Sequence, residues 1–195
     1  MRPRSLFFTT MAMTTTRTLL PVAAGLLFAA TAAAQMPALP TPGPDQEVLS
    51  RDVGTWDAVI ELNIPGAPAM TSKGTEVNTM GCGGMCLIGD FNGEMMPGVP
   101  FKGHGLTAYD ASKKKYVGSW SDSMSSGLQV SEGSYDAATK STTSWMEGPD
   151  GTGATVKTKA VSATTDADHR TMTMFMTGPD GKDVQTMKIT YTRRK

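Results

Sequence analysis

The chain has 195 residues, with 18 Lys and Arg against 18 Asp and Glu, 21 Gly, 12 Pro, 15 Met and 2 Cys. A formal charge of zero excludes an electrostatic case for nucleic-acid binding, which draws on a basic surplus. Two cysteines exclude a mini-protein stapled by many disulfides, and the length accommodates one domain plus an appendage.

Residues 1–34 contain Arg2, Arg4 and Arg17 and no acid. Leu19 to Ala34 is an uncharged apolar run that closes on Ala32-Ala33-Ala34. A basic start, an apolar stretch and a small-residue ending predict a secretory signal peptide over residues 1–34, cut between Ala34 and Gln35. The run contains a proline and many alanines and falls short of the ~20 apolar residues a membrane-spanning helix needs. No cysteine follows the cut, which argues against a lipid anchor, and Met11 or Met13 is an alternative start. The expected location is the periplasm or the medium. Loss of the leader takes three of the 18 basic residues and no acid, leaving 161 residues with net charge −3. Neither a polyanion nor a membrane surface is an expected partner of that mildly acidic chain.

The 161 residues hold 23 Leu, Ile, Val and Phe, together with twelve Met, three Trp and four Tyr. A core is available, and methionine supplies much of it. Such a core packs adaptably, and a pocket for a loosely defined apolar ligand is compatible with it.

Residues 35–44 form a Pro-rich linker, and the domain occupies 45–195. Pro44-Asp45 opens a short helix of about two turns that stops before Gly54. From Gly54 onward the pattern has period two. TWDAVIELN puts Trp56, Ala58, Ile60 and Leu62 on one face. Polar MTSKGTEVNTM follows, then a break or bulge at Gly81-Cys82-Gly83-Gly84, then CLIGDFNG, FKGHGLTAYD, KKYVGSWSDS, LQVSEGSYD and STTSWMEG. ATVKTKAVS, HRTMTMFMT and VQTMKITYTR complete the series. About ten strands with closely spaced turns predict an all-β, antiparallel up-and-down barrel with a short N-terminal helix. YDASKKKYVGSW and YDAATKSTTSW read as two hairpins with one turn chemistry. A barrel of this size can enclose a small molecule.

The residues that carry chemistry each have two readings. Cys82 and Cys86 lie in CGGMC. In a straight strand they stand ~13 Å apart, beyond bridging range, yet the intervening glycines can bend the chain enough for a disulfide. Otherwise they are packed thiols. Met172, Met174 and Met176 alternate in HRTMTMFMT and share a face, as a row of soft Cu(I) ligands beside His169 or as plain barrel lining. His104, between two glycines, and His169 are the sole imidazoles for a metal or a haem, and a structural or surface role is the simpler reading. Glu132 shares a face with Leu128 and Val130. If those point inward, it is a buried carboxylate that anchors a polar head or bonds an interior side chain. Glu76 in GTEVN is similar. No Ser/His/Asp order, His-x-Glu pair or phosphate loop is present, so no catalytic residue is named and no cofactor is specified.

A short helix followed by Gly54-Thr55-Trp56 at the start of the first strand resembles the lipocalin-like superfamily. VGTWDAVIEL, GTEVNTMGCGGMCLIGDFNGEM, PFKGHGLTAYDASKKKYVGSWSDSMSSGL, VSEGSYD and MTGPDGKDVQTMKITYTRRK together resemble the bacterial domain of unknown function 1579 family. The likeness spans roughly Pro44 to Lys195. It implies a lipocalin-like barrel, often exported, and carries over no catalytic residue. Cys86 departs from the aromatic or aliphatic residue expected there. The resulting expectation is a barrel that binds a small apolar or amphipathic ligand near Trp56, Glu76, His104, Trp120, Glu132, Met172, Met174 and Met176. An enzyme acting on a small substrate, or a periplasmic metal or haem module, is the alternative. Oligomeric state is not specified.

Overall fold

A computed structural model describes residues 39–150, 152–178 and 180–195. The expected signal peptide lies outside these residues. Helix α1 runs Pro44–Ser50. Proline at its first turn has the right fixed φ and no N–H to leave unpaired. The Gln46 side chain caps it by accepting from Gly43 N at 2.9 Å.

Ten strands follow: β1 Gly54–Leu62, β2 Met70–Gly81, β3 Cys86–Met96, β4 Val99–Asp110 and β5 Lys115–Asp122. The second five are β6 Gln129–Asp136, β7 Ser141–Pro149, β8 Thr155–Thr164, β9 His169–Thr177 and β10 Asp183–Arg193. Each pairs antiparallel with its neighbours in sequence, and β1 pairs with β10 from Trp56↔Arg193 to Leu62↔Met187, so the barrel closes. Closure leaves none of these ten strands as a free sheet edge.

The hairpin turns explain the two repeats. Asp110 Oδ1 accepts from the backbone N–H groups of Ser112 and Lys113, and Lys114 takes φ 55°. Asp136 Oδ1 accepts from Ala138 N, and Lys140 takes φ 50°. An Asp folding onto the backbone two residues on is the chemistry of an Asx turn.

The CGGMC break is a 3-10 turn over Cys82–Gly84. Cys82 and Cys86 are disulfide-bonded with Cα atoms 5.6 Å apart. The straight-strand separation does not apply because Cys82, Gly83 and Gly84 all take positive φ and fold the chain back.

Packing is uneven around the barrel. Trp56, Ala58, Ile60, Phe91, Phe101, Ile189 and Tyr191 form the buried cluster, all on β1, β3, β4 and β10. Met95, Trp120, Met172 and Met187 pack against it. Register shifts at Glu94/Met96 on β3 and at Gln185/Met187 on β10 break the alternation beside two of these methionines. The facing wall carries small polar residues. Ser131, Thr142, Ser144 and Ser162 from β6, β7 and β8 line the interior and leave it unfilled.

Candidate functional site

The unfilled space is a cavity of about 390 Å³ inside the barrel. That lies within the ~300–1,000 Å³ of small-molecule sites. Its floor is under α1, where Val48, Leu49 and Asp52 reach the cavity. The helix is held there from several sides. Tyr116 Oη donates to Asp45 O at 3.1 Å, and Trp56 Nε1 to Asp52 O at 2.9 Å. The Arg193 guanidinium donates to the carbonyls of Arg51, Val53 and Ala167 at 2.9, 2.5 and 2.9 Å.

An ion pair occupies the floor. Arg170 is only 8% exposed. Its Nη2 donates to Glu76 Oε1 at 2.5 Å, and the same oxygen accepts from Asn78 Nδ2 at 2.7 Å. The guanidinium carbon lies 3.9 Å from the centre of the Tyr191 ring and 4.7 Å from that of Trp56. Stacking on two aromatic faces offsets part of the cost of burying a cation. Asp52 Oδ1 stands 3.9 Å from Arg170 Nε, too far for a hydrogen bond, and Nε is buried without a partner.

Burial opposes the charge on Arg170, and Glu76 and Asp52 outweigh it, holding the group charged. Burial raises Asp52 above the ordinary carboxylate value, against the pull of Arg170. Burial, reinforced by Glu76, raises Tyr191 well above its ordinary value. All three effects come from one largely buried, charged end of the cavity.

Above the floor the walls differ. On one side Ile60, Phe91, Met172, Met174 and Met187 present apolar surface. Trp120 also lies here, its Nε1 donating to Asp122 Oδ2 at 3.0 Å. Gly103 and Gly105 make room for its ring, since a Cβ at Gly105 would stand 2.8 Å from Trp120 Cε3. Across the cavity the small hydroxyl residues of β6–β8 face this wall.

Of the residues singled out in the sequence, Glu76, Trp120, Met172 and Met174 line the cavity. Trp56 is buried beneath Arg170 and is part of the core. Met176 keeps the inward parity of its row but lies at the rim, 43% exposed, opposite Val184. The other expectations need correction. Glu132 faces outward, bound to Lys113 at 2.9 Å and Lys115 at 3.2 Å. The register of β6 against β5 pairs Gln129 with Trp120 and Ser131 with Gly118, so the odd-numbered residues face in. Leu128 and Val130 accordingly stand 57% and 55% exposed. A one-residue offset reverses every side chain of a strand. His104 also faces outward, with Nδ1 2.7 Å from Asp90 Oδ1 and a side chain 62% exposed. Its flanking glycines serve Trp120 instead of opening access to the imidazole. His169 is exposed and paired with Asp166. No imidazole therefore faces the cavity for a haem or a copper ion, and among the described residues no group of three or more His, Cys, Asp or Glu could hold a metal.

Sequence reasoning passed over Arg170, Asp52, Asn78 and Tyr191. Arg170 carried a signal: in HRTMTMFMT it has the parity of Met172 and Met174, so the face that takes the methionines inward takes the arginine too.

Residues 41–193 match the family described as "Protein of unknown function (DUF1579)". The chain belongs to the DUF1579 family. No curated protein matches this DUF1579 chain. Among solved structures it is similar to Rv2717c from M. tuberculosis, at 12% identity and TM-score 0.59, covering 80% of this chain and 100% of that one. It is also similar to the S-type phycobiliprotein lyase CPES from Guillardia theta, at 14% identity and TM-score 0.53, covering 79% of this chain and 99% of that one. At those identities the likeness establishes the shared barrel fold.

Proposed function

We propose that this DUF1579 barrel binds a small apolar or amphipathic molecule in its central cavity, and that it does so as an exported protein. The observation that carries the reading is the cavity itself. About 390 Å³ stays open between a packed aromatic and methionine wall and a wall of small hydroxyl residues. A barrel built only for stability fills its interior to close packing. Five methionines around the cavity, at positions 95, 146, 172, 174 and 187, supply a surface that re-packs around ligands of differing shape. Export rests on the signal-like leader alone. Two measurements test the reading. Native mass spectrometry of protein recovered from its own compartment should reveal a co-purified small molecule and a mature N-terminus at Gln35. The neutral polarity-sensitive dye N-phenylnaphthylamine should brighten on binding, and Ser144→Phe, which narrows the cavity from β7, should weaken the signal. Dye binding unchanged by S144F would refute a cavity site. Protein that retains residues 1–34 in its native compartment would refute export by cleavage.

A further inference from the structure

We infer that the ligand carries an acidic head, a carboxylate on an apolar chain, and that Arg170 receives it at the cavity floor. This rests on the reading that the cavity holds a small molecule, and adds the class of molecule and its orientation.

The argument starts from donors without acceptors. A guanidinium has five N–H donors and no acceptor. Arg170 donates one hydrogen bond among the described residues, to Glu76, and its Nε is buried with no partner. Buried polar groups in folded proteins are almost always paired. An unpaired donor on a cation nine-tenths buried, in the lining of a cavity, specifies an acceptor brought in from outside.

Three of the four acids of the cavity are already engaged. Glu76 accepts from Arg170 and Asn78. Asp122 accepts from Trp120 Nε1 and from the backbone N–H groups of Met124 and Ser125. Glu94 accepts from Gly98 N at 3.1 Å. An anionic ligand supplies the acceptor that Arg170 Nε lacks. Asp52 and Glu76 both oppose an anion at the floor; Glu76 is already paired with Arg170, and burial raises Asp52 above the ordinary carboxylate value. Arg193 adds a second positive charge nearby, 4.0 Å from the centre of the Trp56 ring.

Position supplies the chain. Met172 and Met174 follow Arg170 on the inward face of β9. At ~3.3 Å of rise per residue they form an apolar track of ~13 Å leading from the guanidinium toward the rim. A medium-length alkyl chain with its head on Arg170 lies along that track and covers the thioethers.

The test uses the full mature chain and three probes that differ only in the head group: decanoate, decanol and decylamine. Each displaces N-phenylnaphthylamine at neutral pH. A charge-assisted hydrogen bond predicts decanoate binding on the order of tenfold tighter than decanol. Arg170→Gln should bring that ratio to about one. R170Q leaves Glu76 without its cation, so R170Q/E76Q, which replaces the ion pair with two amides, is measured beside it. Circular dichroism verifies the fold of both. Glu132→Gln, on the outer surface, should leave the ratio unchanged. Equal binding of decanoate and decanol to the wild type, tightest binding of decylamine, or a ratio that survives R170Q/E76Q would each overturn the inference while leaving a cavity site intact. If the dye and all three probes fail to bind, the cavity reading fails, and this inference with it.

Discussion

Replacing Arg170 by Met probes whether the floor is an integral part of the barrel or a polar addition to it. The substitution keeps length and apolar bulk and removes the charge. Glu76 then loses its cation while staying within a site where its side chain is 14% exposed. Breaking a buried pair by removing one partner costs ~3–5 kcal/mol, mostly because the remaining charge is uncompensated. Asn78 still donates to Glu76 at 2.7 Å, which places the cost at the lower end, ~3 kcal/mol. Loss of the guanidinium stacking on Tyr191 and Trp56 adds ~0.5–2 kcal/mol, part of which a thioether against the same rings restores. R170M/E76Q removes the orphaned charge and should be ~2 kcal/mol more stable than R170M, a coupling within the range for residues sharing one network. Urea unfolding followed by tryptophan emission at neutral pH measures both. With m of ~2 kcal/mol/M, the R170M midpoint should fall by ~1.5 M. A fall below ~0.5 M at that m, or a double variant no more stable than R170M, would mean that Glu76 is not held by Arg170 and that the floor is wetter than the burial of both side chains indicates.

Three further outcomes follow from the same structure. The Cys82–Cys86 bridge closes a very short loop, for which the chain-entropy relation gives ~2 kcal/mol, so C82S/C86S should lose about that much in urea unfolding. Gly105→Val drives a side chain against the Trp120 ring and should cost ~1–3 kcal/mol with a red shift of tryptophan emission, whereas an unshifted spectrum would place the ring elsewhere. Burial pushes the Tyr116 hydroxyl up to about 12 from 10.0. Its proton is retained in the folded chain and released from the unfolded one across that interval, so stability is complete below pH ~10 and falls as pH rises toward 12. Y116F should flatten part of that fall, and absorbance titration of the folded protein should show delayed phenolate formation.

The ten strands were legible because the turns announce themselves. Asp110, Asp136 and Asp150 each sit where an Asx-type turn forms, and the residues between them show no helical period. β1 was legible down to its faces, since its apolar parity from Trp56 to Ile60 meets a packed wall. β9 was half legible. Its methionines mark the inward parity, and the arginine at the head of the same row is not legible as inward because charged residues are rarely buried without a partner, and the partner stands 94 residues away on β2. Nothing local in GTEVN tells that Glu76 meets that arginine. The closing of the CGGMC turn was open from sequence, because a Cys-to-Cys distance depends on φ values that glycine leaves free.

β6 misled for a reason that bears on function. Its apolar residues Leu128 and Val130 point out, and its small ones, Ser131 and Gly133, point in. β7 repeats the inversion, with Trp145 outside and Ser144 inside. Alternation predicts the inward face only where the interior is a packed core that rewards apolar burial. Where the interior is an open cavity, an inward serine keeps the space open, and an outward Trp can pack against its neighbours, as Trp145 does under Lys157 at 5.3 Å. The reversed pattern on β6 and β7 faces the wall of Ile60, Phe91 and Met172 across the 390 Å³ of unfilled space. The strands on which alternation fails are thus the ones that create the cavity. Substituting their inward Ser131 and Ser144 by Val and Leu would make the sequence conform to the simple rule and close the site it encodes.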